Sequence, residues 1–416
     1  MPASHAAMEN RSDDLTATLR HPPLDASIEP PRHSLWSLFR VVLSRSAVSW
    51  GGLALMAQLE QHYVEREAQL TPAAFSDLVA LAWMVPGPVG CNVAVQLGHA
   101  IRGRSGAWVA GVASVLPFFA LMTLFAIFYR TPLVHAVASR TLLNHFSVVL
   151  GMLIGVTWYR QTRALVRGRL EWAAALLACI ALAIATSGGA YVAILCVAFG
   201  AGWLASPAQS IPLAIGMTRS DVWLLAALAA LIAVFALPLP YPLESVLLWP
   251  RLAGAGMTLF GGGFSALPVL KTLFVTPAIG VTNDDFTLAF SLSPLSPGPL
   301  LNVVPFFGYL VDGWLGALVA TLALFVPSGC LVVLAQRHLH RMKANPRFEH
   351  AMRVLRAGTT AFLAIAVWHI AVRVPLQPAY FATATFAALC FGKFKLPAYA
   401  VYAAVGTACG LWLAYG

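Results

Sequence analysis

From residue 34 onward the chain is a series of apolar runs separated by short polar stretches. Residues 170–203 and 222–237 show neither the polar face of a surface helix nor the alternation of a half-buried strand. Helices that are apolar on every side suit lipid, whereas the strands of a membrane barrel would appear as alternating segments of about 10 residues. One crossing takes about 20 apolar residues, which leaves room for about a dozen in residues 34–416. The pattern predicts an all-α polytopic membrane protein whose principal surroundings are a lipid bilayer.

The chain also compares well with itself. Trp50-Gly51-Gly52 pairs with Phe260-Gly261-Gly262, and Pro86-Gly87-Pro88 pairs with Pro297-Gly298-Pro299. Gly98, Gly106, Pro117 and Trp158 then meet Gly308, Gly316, Pro327 and Trp368, at a constant offset of 210 residues that slips by one at Pro-Gly-Pro. This is a tandem duplication: residues 34–206 form one transmembrane repeat and 244–416 the second. A linker, 207–243, contributes one transmembrane helix with no counterpart. Residues 1–33 carry eight charges and no apolar run, and are expected to form a disordered cytoplasmic tail.

Composition narrows the class further. Charged residues make up 10% of the chain, against about 25% in soluble domains, so a water-soluble globule is excluded. The net charge of +10 comes from Lys and Arg scattered through short loops, which is a topology signal and not a nucleic-acid surface. These residues cluster after the Trp158 helix (Arg160, Arg163, Arg167, Arg169) but before the Trp368 helix (Arg337, Arg341, Lys343, Arg347, Arg353, Arg356). Equivalent helices are therefore expected to run in opposite directions, as two inverted-topology repeats. Six crossings per repeat plus the linker give about 13, with the N-terminus cytoplasmic and the C-terminus periplasmic. The six cysteines lie in apolar segments without CxxC or metal-ligand spacing, so they are read as packing residues, and neither metal nor cofactor is expected.

Inverted repeats with interrupted helices are the arrangement of secondary transporters, whose sites lie at the interruptions near the bilayer midplane. Pro-Gly-Pro cannot continue a helix, so new half-helices should begin after Pro88 and Pro299. Each would offer free backbone N–H groups and about half a positive charge to an anion. Candidate substrate-binding residues are Pro86, Gly87, Pro88 and Asn92 in the first repeat, with Gly51 and Gly52. In the second repeat they are Ser296, Pro297, Gly298, Pro299 and Asn302, with Gly261, Gly262 and Gly263. Asn and Ser donate to an oxyanion without adding charge, although Asn92 and Asn302 could equally join helices.

These residues resemble the chromate ion transporter family in its long two-domain form. The resemblance rests on SWGG at 49–52, VPGPVGCN at 85–92, FGGGFSALP at 260–268, SPGPLLN at 296–302, GYLVDGWLGALVA at 308–320 and FVPS at 325–328. It implies chromate export across the bacterial inner membrane, conferring chromate resistance, by alternating access driven by the membrane gradient without ATP. The chain departs from the family pattern at Leu53, Asn92 and Lys271, so sulfate or another oxyanion, in uptake or exchange, is the alternative. An anion channel ranks lower, and so does an intramembrane enzyme, for which HExxH, GxSxG and a paired intramembrane Asp are all missing from the sequence. Each half resembles a half-size protein able to pair, so the fused chain suits either a single unit or a homodimer.

Two helix termini supply about +1 against a dianion's −2, and an unpaired ion in a low dielectric is very costly. A wet vestibule or a cation must contribute, and the candidates for charge compensation or coupling are Arg102, Lys271 and the carboxylate Glu60, which follows an apolar run.

Overall fold

The computed structural model describes residues 34–50, 52–129, 131, 140–184, 187–206, 217–260 and 263–415. The expected tail at 1–33, the glycines Gly51, Gly261 and Gly262, and the linker segment 207–216 lie outside the described residues. Among the described residues every named element is helical, and an isolated parallel bridge joins Trp50 to Gly298.

In the first half the α-helices are α1 (Leu35–Ala47), α2 (Gly52–Glu60), α3 (Pro72–Met84), α4 (Val89–Tyr129), α5 (Arg140–Leu165), α6 (Arg169–Ile184) and α7 (Gly188–Leu204). A π-helical turn, Gln61–Arg66, extends α2. The linker supplies α8 (Arg219–Ala236). The second half holds α9 (Tyr241–Val246), α10 (Leu248–Gly256), α11 (Ala266–Phe274), α12 (Asn283–Leu292), α13 (Val304–Ala344), α14 (Pro346–Ala371), α15 (Pro378–Gly392) and α16 (Ala398–Tyr415). From α10 onward the second half repeats the order of α1 to α7. Among the described residues five helices are long and apolar enough to cross a membrane: α4, α5 from Thr141, α8, 301–338 and α14. Four shorter apolar helices accompany them. The chain is a multi-pass membrane protein, and side chains such as Leu177, Ile180, Val197 and Trp223 are exposed on the outer surface, where lipid would cover them.

Local sequence explains several boundaries. Thr71 caps α3, its hydroxyl accepting from Ala74 N–H at 3.2 Å, with Pro72 at the first helical position. Thr218 with Asp221, and Thr282 with Asp285, form reciprocal capping boxes at α8 and α12. Asp285 also accepts a hydrogen bond from the Tyr129 hydroxyl, which ties the end of α4 to the start of α12.

Neither α4 nor α13 is one straight rod. Each is a helical hairpin, turning at Arg102-Gly103 in α4 and at Asp312-Gly313 in α13. Gly103 has φ +61° and Gly313 φ +54°, a left-handed conformation that favours glycine. The arms 89–101 and 104–129 touch so closely that a Cβ on Gly98 would lie 2.2 Å from the Gly106 carbonyl oxygen. Gly308 and Gly316 repeat this contact at 2.3 Å. These four glycines are therefore packing residues, which the small side chains of membrane helix contacts lead one to expect.

Packing between the halves is crossed. α14 lies against α6 and α7 of the first half, while α5, its first-half equivalent, lies against α15 and α16 of the second. α4 packs along α13. The linker helix α8 covers α10 and leans on α7, and a Cβ on Gly254 would fall 2.0 Å from the Leu231 carbonyl oxygen.

Candidate substrate site

The two helix interruptions fall at Pro-Gly-Pro. α3 ends at Met84, where Val85 N–H donates back to Leu81 at 3.0 Å, and α4 starts at Val89. In the second half α12 gives way at Leu292 to a 3-10 turn, Ser293–Leu295, and the chain resumes after Pro299 as a second 3-10 turn, Leu300–Val303. The second half-helix thus begins more tightly wound than the first. Gly87 and Gly298 take φ +116° and +106°, values open to glycine because it lacks a Cβ.

Each interruption is held by the opposite half. Gly87 N–H donates to the Leu259 carbonyl at 2.8 Å, and Gly298 N–H donates to the Ser49 carbonyl, also at 2.8 Å. Ser49 and Leu259 are equivalent positions, each two residues before a Gly-Gly pair. The two donors pass crosswise between the copies. The residue after each duplicated proline completes the exchange: Ser328 abuts Gly87, and Phe118 abuts Gly298. Phe118 in turn lies against Phe325, with ring centroids 5.3 Å apart. A continuous line of contacts, Gly87–Ser328–Phe325–Phe118–Gly298, therefore runs from one interruption to the other, since Phe325 and Ser328 share one helix turn.

Asn92 and Asn302 are both buried, and each clasps its own interruption. Asn302 Nδ2 donates to the Ser293 carbonyl at 2.9 Å and the Ser296 carbonyl at 3.4 Å, while its Oδ1 accepts from the Ser293 hydroxyl at 2.6 Å. Asn92 Nδ2 reaches the Pro86 carbonyl at 3.4 Å. The Ser328 hydroxyl lies 2.9 Å from that same carbonyl and 2.8 Å from Asn92 Oδ1, and its single proton serves one of them at a time. The buried Ser296 hydroxyl donates to the Pro297 carbonyl at 3.2 Å.

The remaining candidates are spread more widely. Gly52 opens α2 and Gly263 opens a 3-10 turn ahead of α11. Glu60 is exposed at the junction of α2 with the π-helical turn. Arg102 is exposed at the hairpin turn of α4, where its φ of −137° and ψ of 20° leave the helix. Lys271 is half-buried on α11, in a pocket with residues from α5, α12 and α14. The sequence marks Ser293 as a polar residue just before the second break, but it assigns no site role to Ser328, Phe118 or Phe325. The repeated Pro117 and Pro327 were the available signal for the first two of these.

A cavity of about 450 Å³ opens between the outer arms of α4 and α13 and the linker helix α8. Asn92 and Cys91 reach its wall beside Ser114 and Thr321, with Arg104 and Arg337 also on its lining. Arg337 pairs with Asp221 at 3.3 Å. Most of the wall is apolar, with Val and Leu its commonest residues, and these offer a dianion no donors.

A family model described as Chromate transporter matches the chain twice, over residues 36–205 and 246–411. The chain belongs to the chromate transporter family. Among its relatives, a chromate transport protein of Pseudomonas aeruginosa is 27% identical over 360 residues, 82% of each chain. One of Cupriavidus metallidurans is 27% identical over 376 residues, 88% of this chain and 90% of that one. A transporter of Bacillus subtilis, YwrA, is 26% identical over 112 residues, 27% of this chain and 63% of its own length. No solved structure matches. Members of the chromate transporter family are transport proteins and not enzymes, and the same holds for this chain.

Proposed function

We propose that this chain is a secondary transporter that moves chromate out of the cell across the bacterial inner membrane, conferring chromate resistance. It works by alternating access of one repeat against the other, driven by the membrane gradient. The observation that carries the reading is the reciprocal pair of hydrogen bonds, Gly87 N–H to Leu259 and Gly298 N–H to Ser49. A pair of interruptions that each depend on the other copy is a joint that couples movement at one to movement at the other. The printed names of the Pseudomonas and Cupriavidus relatives favour chromate as cargo, and none of the relatives' names supports the sulfate alternative.

In this reading 34–206 and 244–416 are the two repeats and 207–243 the linker. The repeats are inverted, with about 13 crossings, a cytoplasmic N-terminus and a periplasmic C-terminus. The crossed packing of α5 and α14 and the opposite placement of basic residues around them favour inversion. The substrate would sit between the interruptions, near Gly87 and Gly298, taking donors from the first backbone N–H groups after Pro88 and Pro299. Asn92 and Asn302 act as positioning residues for those groups.

Purified chain in proteoliposomes tests the proposal. Labelled chromate should accumulate against its concentration gradient when an ion gradient or membrane potential is imposed, and should only equilibrate when it is dissipated. Flux that never exceeds equilibration would make the chain a channel, and flux of sulfate without chromate would reverse the choice of cargo.

A further inference from the structure

A second, polar pocket lies away from the interruptions. It has a volume of about 130 Å³ and is enclosed by α5 of the first half and by α11, α12 and α14 of the second. Three basic side chains converge on it: Lys271 from α11, His369 from α14 and Arg373 from just beyond the end of α14. Asn144, Ser147 and Thr287 add amide and hydroxyl groups.

The charge in this pocket is unbalanced. Lys271 is half-buried and makes no salt bridge or hydrogen bond among the described residues. His369 Nδ1 is buried without a hydrogen-bond partner. Arg373 donates to Asn283 Oδ1, a neutral group. Of the acidic side chains, Asp284 lines the pocket, whereas Asp285 is committed to the Thr282 cap and the Tyr129 hydroxyl. Two fixed cations thus face one exposed carboxylate. A half-buried ammonium without a counter-ion is costly, so a fold that retains one is poised for an anion supplied from outside.

We propose that this pocket is a tetrahedral-oxyanion site, bound by Lys271 and Arg373 with hydrogen bonds from His369 and the neighbouring hydroxyls, and that it is the station next to the second interruption on the anion's route. The second part rests on the transport reading above. The geometry linking the two places is α12 itself: Thr287 lines the pocket, and Ser293, which clasps Asn302, lies about 9 Å further along the helix axis. Because the pocket is walled by both halves, movement of one repeat against the other would open or close it.

Equilibrium binding of labelled chromate and labelled sulfate to the purified full-length chain, together with chromate flux in proteoliposomes, tests the site. Lys271→Gln and Arg373→Gln should each weaken oxyanion binding and raise the flux KM by about tenfold, with turnover little changed, as loss of a charge-assisted contact predicts. Lys271→Arg should retain both properties. Asp284→Asn should act in the opposite direction and tighten binding several-fold. Thermal stability without anion should stay the same or rise in Lys271→Gln, because an unpaired charge is removed, a result that a merely structural lysine would not give. Unchanged binding and KM in both Gln variants, or weaker binding in Asp284→Asn, would overturn the site. If the wild-type chain carries no chromate flux, the transport reading falls and binding alone decides: loss in Lys271→Gln upholds the oxyanion site, and wild-type affinity there overturns it.

Discussion

Gly87→Ala is expected to abolish chromate flux and to destabilise the protein by about 2–6 kcal/mol. Two costs combine. A Cβ at φ +116° forces an L side chain into a conformation it rarely adopts, worth about 1–3 kcal/mol. The same Cβ would lie 2.0 Å from Ser328 Oγ and 2.7 Å from Ser328 Cβ, an overpacking cost of about 1–3 kcal/mol. The second cost can be separated from the first. Ser328→Gly removes both clashing atoms, so Gly87→Ala should be less damaging in that background, with a compensating coupling of about 1–3 kcal/mol in a double-mutant cycle. Thermal unfolding of the purified protein reads the stability and proteoliposome flux reads the function. Additive effects of the two substitutions would show that Gly87 does not bear on Ser328.

Asn302→Leu is expected to be the second most damaging change, and more so than Asn92→Leu. Leucine at 302 removes three hydrogen bonds, those of the Asn302 amide with the Ser293 carbonyl, the Ser296 carbonyl and the Ser293 hydroxyl, although the Ser293 carbonyl keeps the Ser296 N–H at 3.1 Å. At about 0.5–1.5 kcal/mol net for each hydrogen bond lost, the clasp loses a few kcal/mol and the 3-10 turn ahead of Pro-Gly-Pro loses its side-chain anchor. Leucine at 92 is partly compensated. The Ser328 proton, released from Asn92 Oδ1, can go entirely to the Pro86 carbonyl 2.9 Å away. Flux should therefore fall by at least tenfold in Asn302→Leu and less in Asn92→Leu. Equal losses in the two variants would contradict this account of their unequal partners.

Both predictions depend on features the sequence exposes unevenly. Proline and glycine impose backbone constraints wherever they stand, so the two interruptions could be located from Pro86-Gly87-Pro88 and Pro297-Gly298-Pro299 alone. The offset of 210 exposed the duplication because both copies keep the same glycines and prolines. What the sequence hides is pairing at a distance. Nothing local to Gly87 announces that its N–H will meet Leu259, and the exchange of partners between α5 and α14 involves helices hundreds of residues apart.

Two further features escaped for different reasons. The hairpin turns at Arg102 and Asp312 read as ordinary charged residues in an apolar run, so Arg102 stood out as a counter-charge, whereas its backbone angles belong to a tight turn completed by Gly103. Lys271 drew notice as a lone cation, but His369 and Arg373 lie about a hundred residues away, and only the packing of α11 against α14 joins them. Asn92 and Asn302 suit either ligands or links between helices, and Asn92 does link α4 to Ser328 of α13 at 2.8 Å. Both amide nitrogens also reach the interruptions themselves, because a 3-10 turn or a Pro-Gly-Pro loop leaves carbonyls that a nearby amide can reach.

The proposed transport requires a doubly charged oxyanion to rest between the two Pro-Gly-Pro interruptions. Anomalous difference density for chromium, in crystals of the full-length chain soaked in chromate, measures this most directly. The account predicts a peak between Gly87 and Gly298, within hydrogen-bonding reach of the first backbone N–H groups after Pro88 or Pro299. Chromium found elsewhere and never between the interruptions, in protein that still transports chromate, would contradict it.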